Sequence, residues 1–165
     1  MIRKYKGVGP KFDESCYIDE AASVIGDVRM GEDVGIWPCA SLRGDEGRKI
    51  VIGKGTNIQD CAVIHGYSDT EIGEYVSVAH GVIVHGAKIG DNVLIGMGSV
   101  ILDDAEIGDN CIIGAGSLIT GRKKFEAGSM IIGSPAKAVR KLTQEEIDGI
   151  KENAINYIEL IKDYR

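Results

Sequence analysis

Aromatic residues make up only 5% of the 165-residue chain, and it contains just three prolines and one tryptophan. Leucine is scarce as well, which disfavours a helical bundle. No run of 18 apolar residues occurs, so no bilayer-spanning helix is expected. The opening MIRKYKGVGP lacks the apolar stretch of a signal peptide. The four cysteines, Cys16, Cys39, Cys61 and Cys111, include no C-x-x-C pair. That spacing argues against both a disulfide framework and a thiolate zinc site. A reduced, cytoplasmic protein is the resulting expectation. Basic residues are in deficit, 19 Lys and Arg against 25 Asp and Glu, for a net charge of −6. Nucleic acid and anionic membranes both reward a basic face, so neither is expected as a partner. The length suits one domain, 1–165.

The chain is rich instead in glycine, 23 residues, and in isoleucine. Branched residues separated by glycines predict many short strands joined by tight turns. Their arrangement is periodic. An aliphatic residue recurs every six positions at Ile89, Ile95, Ile101, Ile107, Ile113 and Ile119. Four places after it comes a smaller residue: Val93, Ser99, Ala105, Cys111, Ser117. The same frame runs through Phe12, Ile18, Val24, Met30, Ile36 and Leu42, then Ile52, Ile58 and Ile64, then Ile72, Val78 and Val84. Such a period predicts a prism-shaped β-solenoid in which three hexads make one turn. One turn cannot bury its own apolar side, so turns must stack about 4.8 Å apart, as neighbouring strands do. From Phe12 to Ile119 the frame gives about six coils within a β-helix spanning 12–135, and the repeat decays through Gly121-Arg122-Lys123-Lys124.

A helix is predicted over 143–164. Thr143 and Glu146 form a capping box, and Ile147, Ile150, Ala154, Ile158 and Ile161 form an apolar stripe at helical spacing. The stripe is expected to cover a prism face of its own chain or of a neighbour.

Histidine is rare, and its three positions, His65, His80 and His85, are informative. With Ile52 on face one, Ile58 falls on face two and Ile64 on face three, and Ile72, Val78 and Val84 repeat that order. His65 and His85 then share one outward column of face three, a single coil apart. Stacked about 4.8 Å apart, both can reach one metal, at about 2.0–2.1 Å per Zn–N bond. His80 sits around the corner on face two, where it cannot easily complete that site within one chain but could complete it on a neighbouring molecule. A three-fold ring of prisms makes this contact three times and closes. Arg43 occupies the column of His65 and His85, and Asp60 lies one coil below His80. Docking His80 on a neighbour therefore brings Asp60 beside that neighbour's Arg43, a charge-assisted pair that fixes register. A histidine ladder without metal is the alternative reading. Cys39 and Cys61, three places past the inward aliphatic on face two, read as small packing residues rather than ligands.

The residues Ile36-Trp37-Pro38, Arg43-Gly44-Asp45, Gln59-Asp60, and the series His65, His80, His85 resemble the gamma-class carbonic anhydrases of the hexapeptide-repeat superfamily. The likeness runs from about Tyr17 to the terminal helix. It implies a left-handed parallel β-helix and a homotrimer with metal sites between subunits. His65 and His85 would be ligands from one subunit and His80 the ligand from the next. The metal implied is Zn2+, with Fe2+ or Co2+ possible on the same ligands. Arg43, Asp45 and Asp60 resemble interface residues, and Gln59 the residue that hydrogen-bonds metal-bound water. The implied reaction is attack of a metal-bound hydroxide on carbon dioxide to give bicarbonate. Glu46 resembles a glutamate used near the site, while the long acidic loop of one branch is missing between His65 and Glu71. Tyr157 matches the tyrosine that short-loop members place near the metal. Two other functions remain open on this scaffold: acyl-CoA-dependent transferase or thioesterase chemistry, since Gly133-Ser134-Pro135-Ala136-Lys137 resembles the tail of hexapeptide acyltransferases, and a catalytically silent metal-binding trimer.

Overall fold

Two inward residues per hexad, a large aliphatic and a small one four places later, make the chain turn a corner every six residues. The computed structural model describes residues 1–164 and shows the result, a three-sided prism of short parallel strands. Face one runs from Lys11–Phe12 to Lys124–Phe125, and face three from Ile2–Arg3 to Leu118–Ile119, each with seven strands. Face two begins at Tyr17–Ile18 and reaches Ser129–Gly133. The registers match the hexad frame: Ile52 pairs with Ile72, Ile58 with Val78, and Ile64 with Val84.

The interior is a continuous column of aliphatic side chains. Ile36, Leu42, Ile58, Ile64, Ile95, Ile101, Ile113 and Ile119 are fully buried, as are the smaller Val34, Ala40, Ala62, Val82 and Ala105 where the walls converge. Where the small residue is polar, a corner carbonyl accepts its hydroxyl, on the next coil for Thr56 and Ser99 and on its own corner for Ser117 and Ser129. The Thr56 hydroxyl donates to the Gly73 carbonyl at 2.8 Å, and the Ser99 hydroxyl to the Gly114 carbonyl at 3.1 Å.

The stack is about one coil longer than the predicted six. The inward position passes to Phe125, which pairs with Ile107 and is buried, and then to Ile131, which pairs with Ile113. Phe125 continues the frame at this end as Phe12 opens it at the other, where Ile2–Arg3 adds a strand by pairing with Val24–Ile25. The last strand of face two is followed by Ala136–Lys141, which folds back antiparallel against it. Cys39 and Cys61 also differ from expectation. Both are exposed, at corners with φ of 62° and 61°, because this left-handed conformation turns the side chain out of the prism.

The terminal helix α1 (Gln144–Tyr164) lies on face two of its own chain, against Gly35–Ile36, Asn57–Ile58 and Ser77–Val78. It buries Ile150, Ala154 and Ile161. Its predicted cap is present: Thr143 N donates to Glu146 Oε2 at 2.9 Å, and Glu146 N donates to Thr143 Oγ1 at 3.2 Å. Glycine at 35 lets the helix approach, since a Cβ there would lie 3.0 Å from Trp37 Nε1 and 3.2 Å from Ile161 Cδ1. The far end of the helix closes an aromatic cluster, with Trp37 ring centres 5.3 Å from Tyr17, 5.5 Å from Tyr157 and 5.1 Å from Tyr164. Among the described residues no helix is long and apolar enough to cross a membrane.

Candidate metal centre

Parallel strands in register place every outward position above its equivalent in the coil below, so a column of the sequence becomes a column in space. His65 and His85 are direct strand partners, with ring centres 5.7 Å apart. Arg43 follows Leu42, the partner of Ile64, and therefore occupies the same column. His80 stands apart on the edge between faces two and three. Its side chain is 49% exposed, against 20% for His65 and 28% for His85, so it is the ring most available to another molecule.

Each histidine is held by its own carboxylate. His65 Nε2 lies 3.1 Å from Asp45 Oδ1, His80 Nδ1 3.0 Å from Asp60 Oδ2, and His85 Nδ1 2.6 Å from Asp103 Oδ2. A ring N–H donating to an ionised carboxylate leaves the other ring nitrogen with its lone pair free. This is how metal-ligating imidazoles are usually oriented. Two of the carboxylates are kept ionised. Burial pushes Asp45 up, but hydrogen bonds from Arg43 Nη1 and the His65 ring outweigh it and leave the carboxyl below its ordinary value. At Asp103 burial is likewise outweighed, by the bond to His85 and by the Tyr67 backbone N–H at 2.8 Å.

Asp103 is the residue that sequence reasoning missed. It follows Leu102 at a corner, where Asp103-Asp104 reads as turn chemistry, and only the fold brings it beside His85. Glycine at 86 makes room for it, because a Cβ there would lie 2.4 Å from Asp103 Oδ1. The Tyr67 ring also stands edge-on to His85, with ring centres 5.2 Å apart. The short segment after His65 is thus tied to the coil that carries His85.

Gln59 is buried and belongs to a directed chain of hydrogen bonds. The Ser77 hydroxyl donates to Asn153 Oδ1 at 2.8 Å, Asn57 Nδ2 donates to Ser77 Oγ at 3.0 Å, and Gln59 Nε2 donates to Asn57 Oδ1 at 2.9 Å. The chain starts on α1 and fixes the Gln59 amide with its nitrogen inward, so its carbonyl oxygen is the end left to accept. Tyr157 is half-buried on the same helix. Burial raises its pKa and the charge of Asp60 adds to that, which keeps the phenol protonated and locates it near the His80 edge. Glu46 stands at an exposed turn with φ of 51°, beside a cleft of about 460 Å3 that Asp45, Gly47 and Tyr5 also line. No hydrogen bond joins it to a histidine among the described residues.

Within one chain Arg43 pairs with Asp45, and Asp60 with His80. Among the described residues, no three His, Cys, Asp or Glu side chains of a single chain gather closely enough to hold a metal ion. His65 and His85 are brought together, and His80 is not.

Comparison with known proteins gives the lineage. A model described as bacterial transferase hexapeptide (six repeats) matches residues 86–121. The chain is 52% identical over 146 residues to a Methanocaldococcus jannaschii protein named "Probable carbonic anhydrase", covering 87% of this chain and 91% of that one. It is 43% identical over 173 residues to Protein YrdA of Escherichia coli strain K12, covering 99% and 94%. Among solved structures it matches a hexapeptide transferase family protein from Anaplasma phagocytophilum with a TM-score of 0.96 and 41% identity, covering 99% and 98%. The fold, the outward histidine and arginine columns and these likenesses agree, and the chain belongs to the gamma-class carbonic anhydrase-like proteins of the hexapeptide-repeat, left-handed β-helix superfamily.

Proposed function

We propose that three copies of the chain close into a ring, that a divalent metal ion is held at each interface by His65 and His85 of one copy and His80 of the next, and that this site hydrates carbon dioxide to bicarbonate. The observation that carries the reading is the set of three imidazoles on adjoining faces, each fixed by its own carboxylate with one ring nitrogen free. Neutral imidazoles suit zinc, and ferrous or cobaltous ions as well. Such an ion acts as a Lewis acid that lowers the pKa of water to about 7.

The chain's own residues supply the rest. Gln59 turns its carbonyl oxygen outward as an acceptor that orients water. Asp45 and Asp103 orient His65 and His85. In the assembly Arg43 faces the next copy's Asp60, and this pair fixes the register at which His80 arrives. Tyr157, protonated near Asp60, narrows the mouth of the site. Glu46, exposed at its turn, accepts the proton that water gives up and passes it to solvent.

Stopped-flow hydration of carbon dioxide, on protein purified without oxygen and with metal content measured on the same sample, tests the reading. Activity that tracks metal content and vanishes in His85→Ala supports it. A metal-loaded trimer without hydration would overturn the reaction and leave a metal-locked assembly. Acyl transfer is the second reading, favoured by the match of residues 86–121 to the bacterial transferase hexapeptide repeat. It predicts acyl-CoA turnover that persists after metal removal.

A further inference from the structure

Cys39 and Cys61 occupy one column. Each lies three residues past an inward isoleucine, Ile36 and Ile58, which are direct strand partners on face two. The corner continues this pairing, since Cys61 N donates to the Pro38 carbonyl at 3.1 Å. The two backbones share one conformation, with φ of 62° and 61°, and both thiols are exposed. In the next coils the same corner position is Gly81, Gly98 and Gly116, each at positive φ. The left-handed conformation is free for glycine and strained for cysteine.

Two residues with matching backbone φ, one coil apart in register, are related by a translation along the stack. Their Cα–Cβ bonds run parallel, about 4.8 Å apart, the spacing of hydrogen-bonded strands. A disulfide needs a Cβ···Cβ distance of about 3.5–4.5 Å with a mean near 3.8 Å, so a direct bond would have to pinch the corner by about 1 Å. A bridging ion needs no pinch. With the zinc–thiolate length of about 2.3 Å as the yardstick, a linear S–M–S unit spans about 4.6 Å, close to the spacing the stack imposes. Thiolate donors suit copper(I), zinc and iron–sulfur clusters alike, but structural zinc and the clusters take four protein ligands, whereas linear two-coordinate binding by two thiolates is the habit of soft monovalent ions. No third sulfur is required.

We propose that Cys39 and Cys61 of a single chain form a second metal site, specific for a soft monovalent cation of the copper(I) class and independent of the histidines. Binding displaces two thiol protons to solvent and leaves the oxidation state of the ion unchanged. The site sits on the edge beside Asp60 and His80, whose carbonyls accept the corner hydrogen bonds of Gly81 and Gly98.

The test is anaerobic titration of the purified protein with copper(I) against a competing chromophoric chelator, with X-ray absorption on the loaded sample. Expected are one tightly held ion per chain and two sulfur neighbours. That binding should be lost in both Cys39→Ser and Cys61→Ser and kept in Cys16→Ser and His65→Ala. Serine is close in size to cysteine and both positions are exposed, so circular dichroism should confirm that the variants fold. One ion per three chains would overturn the single-chain pair, as would nitrogen neighbours or retention in either serine variant. Quantitative formation of a native Cys39–Cys61 disulfide on mild oxidation would overturn the spacing argument. Each of these results is independent of whether the histidines hold a metal.

Discussion

The two halves of the prism share an interior and differ on the outside. From Ile89 to Ile131 the repeat is regular, and its outward positions hold pairs such as Lys124–Glu106 at 2.8 Å and the turn residues Asn92 and Asn110. From Val24 to Val84 the inward residues are the same in kind, but the outward columns carry Arg43, Gln59, Asp60, His65, His80 and His85, and two loops interrupt the frame. The repeat model matches residues 86–121, overlapping the regular half almost alone. The inward columns specify a solenoid and leave the outward ones unconstrained, so chemistry is written in the second half of the alphabet only. A family description resting on the inward pattern names an architecture. The site has to be read from the outward residues.

The largest test of that division sets His80→Ala against Glu106→Ala. The first should abolish bound zinc, because in the proposed assembly one of the three ligands of each site comes from the neighbour, while the second should leave metal content unchanged. Zinc analysis after gel filtration decides it, and stoichiometric zinc in His80→Ala would break the comparison. Next come the interior residues, where the halves should behave alike. Ile64→Ala and Ile95→Ala should each cost about 2–5 kcal/mol in urea unfolding, the range for truncating a buried aliphatic residue. A much smaller cost in either half would show that the column is not one continuous core.

A smaller effect is expected at the boundary between halves, where Asp103 from the regular part reaches back to His85. Asp103→Ala should weaken zinc about 10- to 100-fold, the usual cost of removing an outer-shell partner, with little change in thermal unfolding. Competition with a zinc chelator measures it. Arg43→Ala should shift the proposed trimer toward monomer at low micromolar concentration, and an unchanged sedimentation coefficient would count against the Arg43–Asp60 contact. The smallest effect lies outside both halves, at the helix cap. Hydrogen bonds from Arg140 lower the half-buried Glu146 from 4.5 to about 2. A carboxyl lowered on folding contributes its stability above the unfolded value, and that contribution is lost as pH falls from 4.5 toward 2. Glu146→Gln should lower stability slightly at neutral pH and flatten the pH dependence of unfolding in that window.

The face assignment was legible because a period of six admits one register, and His65 over His85 followed from it directly. The extra coil was hidden by Phe125, which breaks the run of aliphatics without breaking the geometry. Asp103 was hidden because aspartate at a corner serves turn formation as readily as it serves a histidine. The chain from Asn153 to Gln59 could be seen only once the helix was assigned to face two of its own chain, a choice that an apolar stripe leaves open. Cys39 and Cys61 read as packing residues because spacing alone does not say which corner residue adopts positive φ.

The antiparallel return of Ala136–Lys141 has a consequence for the molecule's length. A parallel solenoid is open-ended, and its last coil offers unpaired backbone that can template another coil from a second molecule. Here face two ends in a strand running the wrong way, bulged at Met130–Ile131 and studded with Lys137, Arg140 and Lys141. Faces one and three end in strands of two residues, one of them preceded by Arg122 and Lys123. Growth along the axis at this end is thereby opposed by polarity and charge, which leaves the sides of the prism for association. Fibre formation is the default hazard of a stacked-strand protein, and this chain counters it with six residues of hairpin.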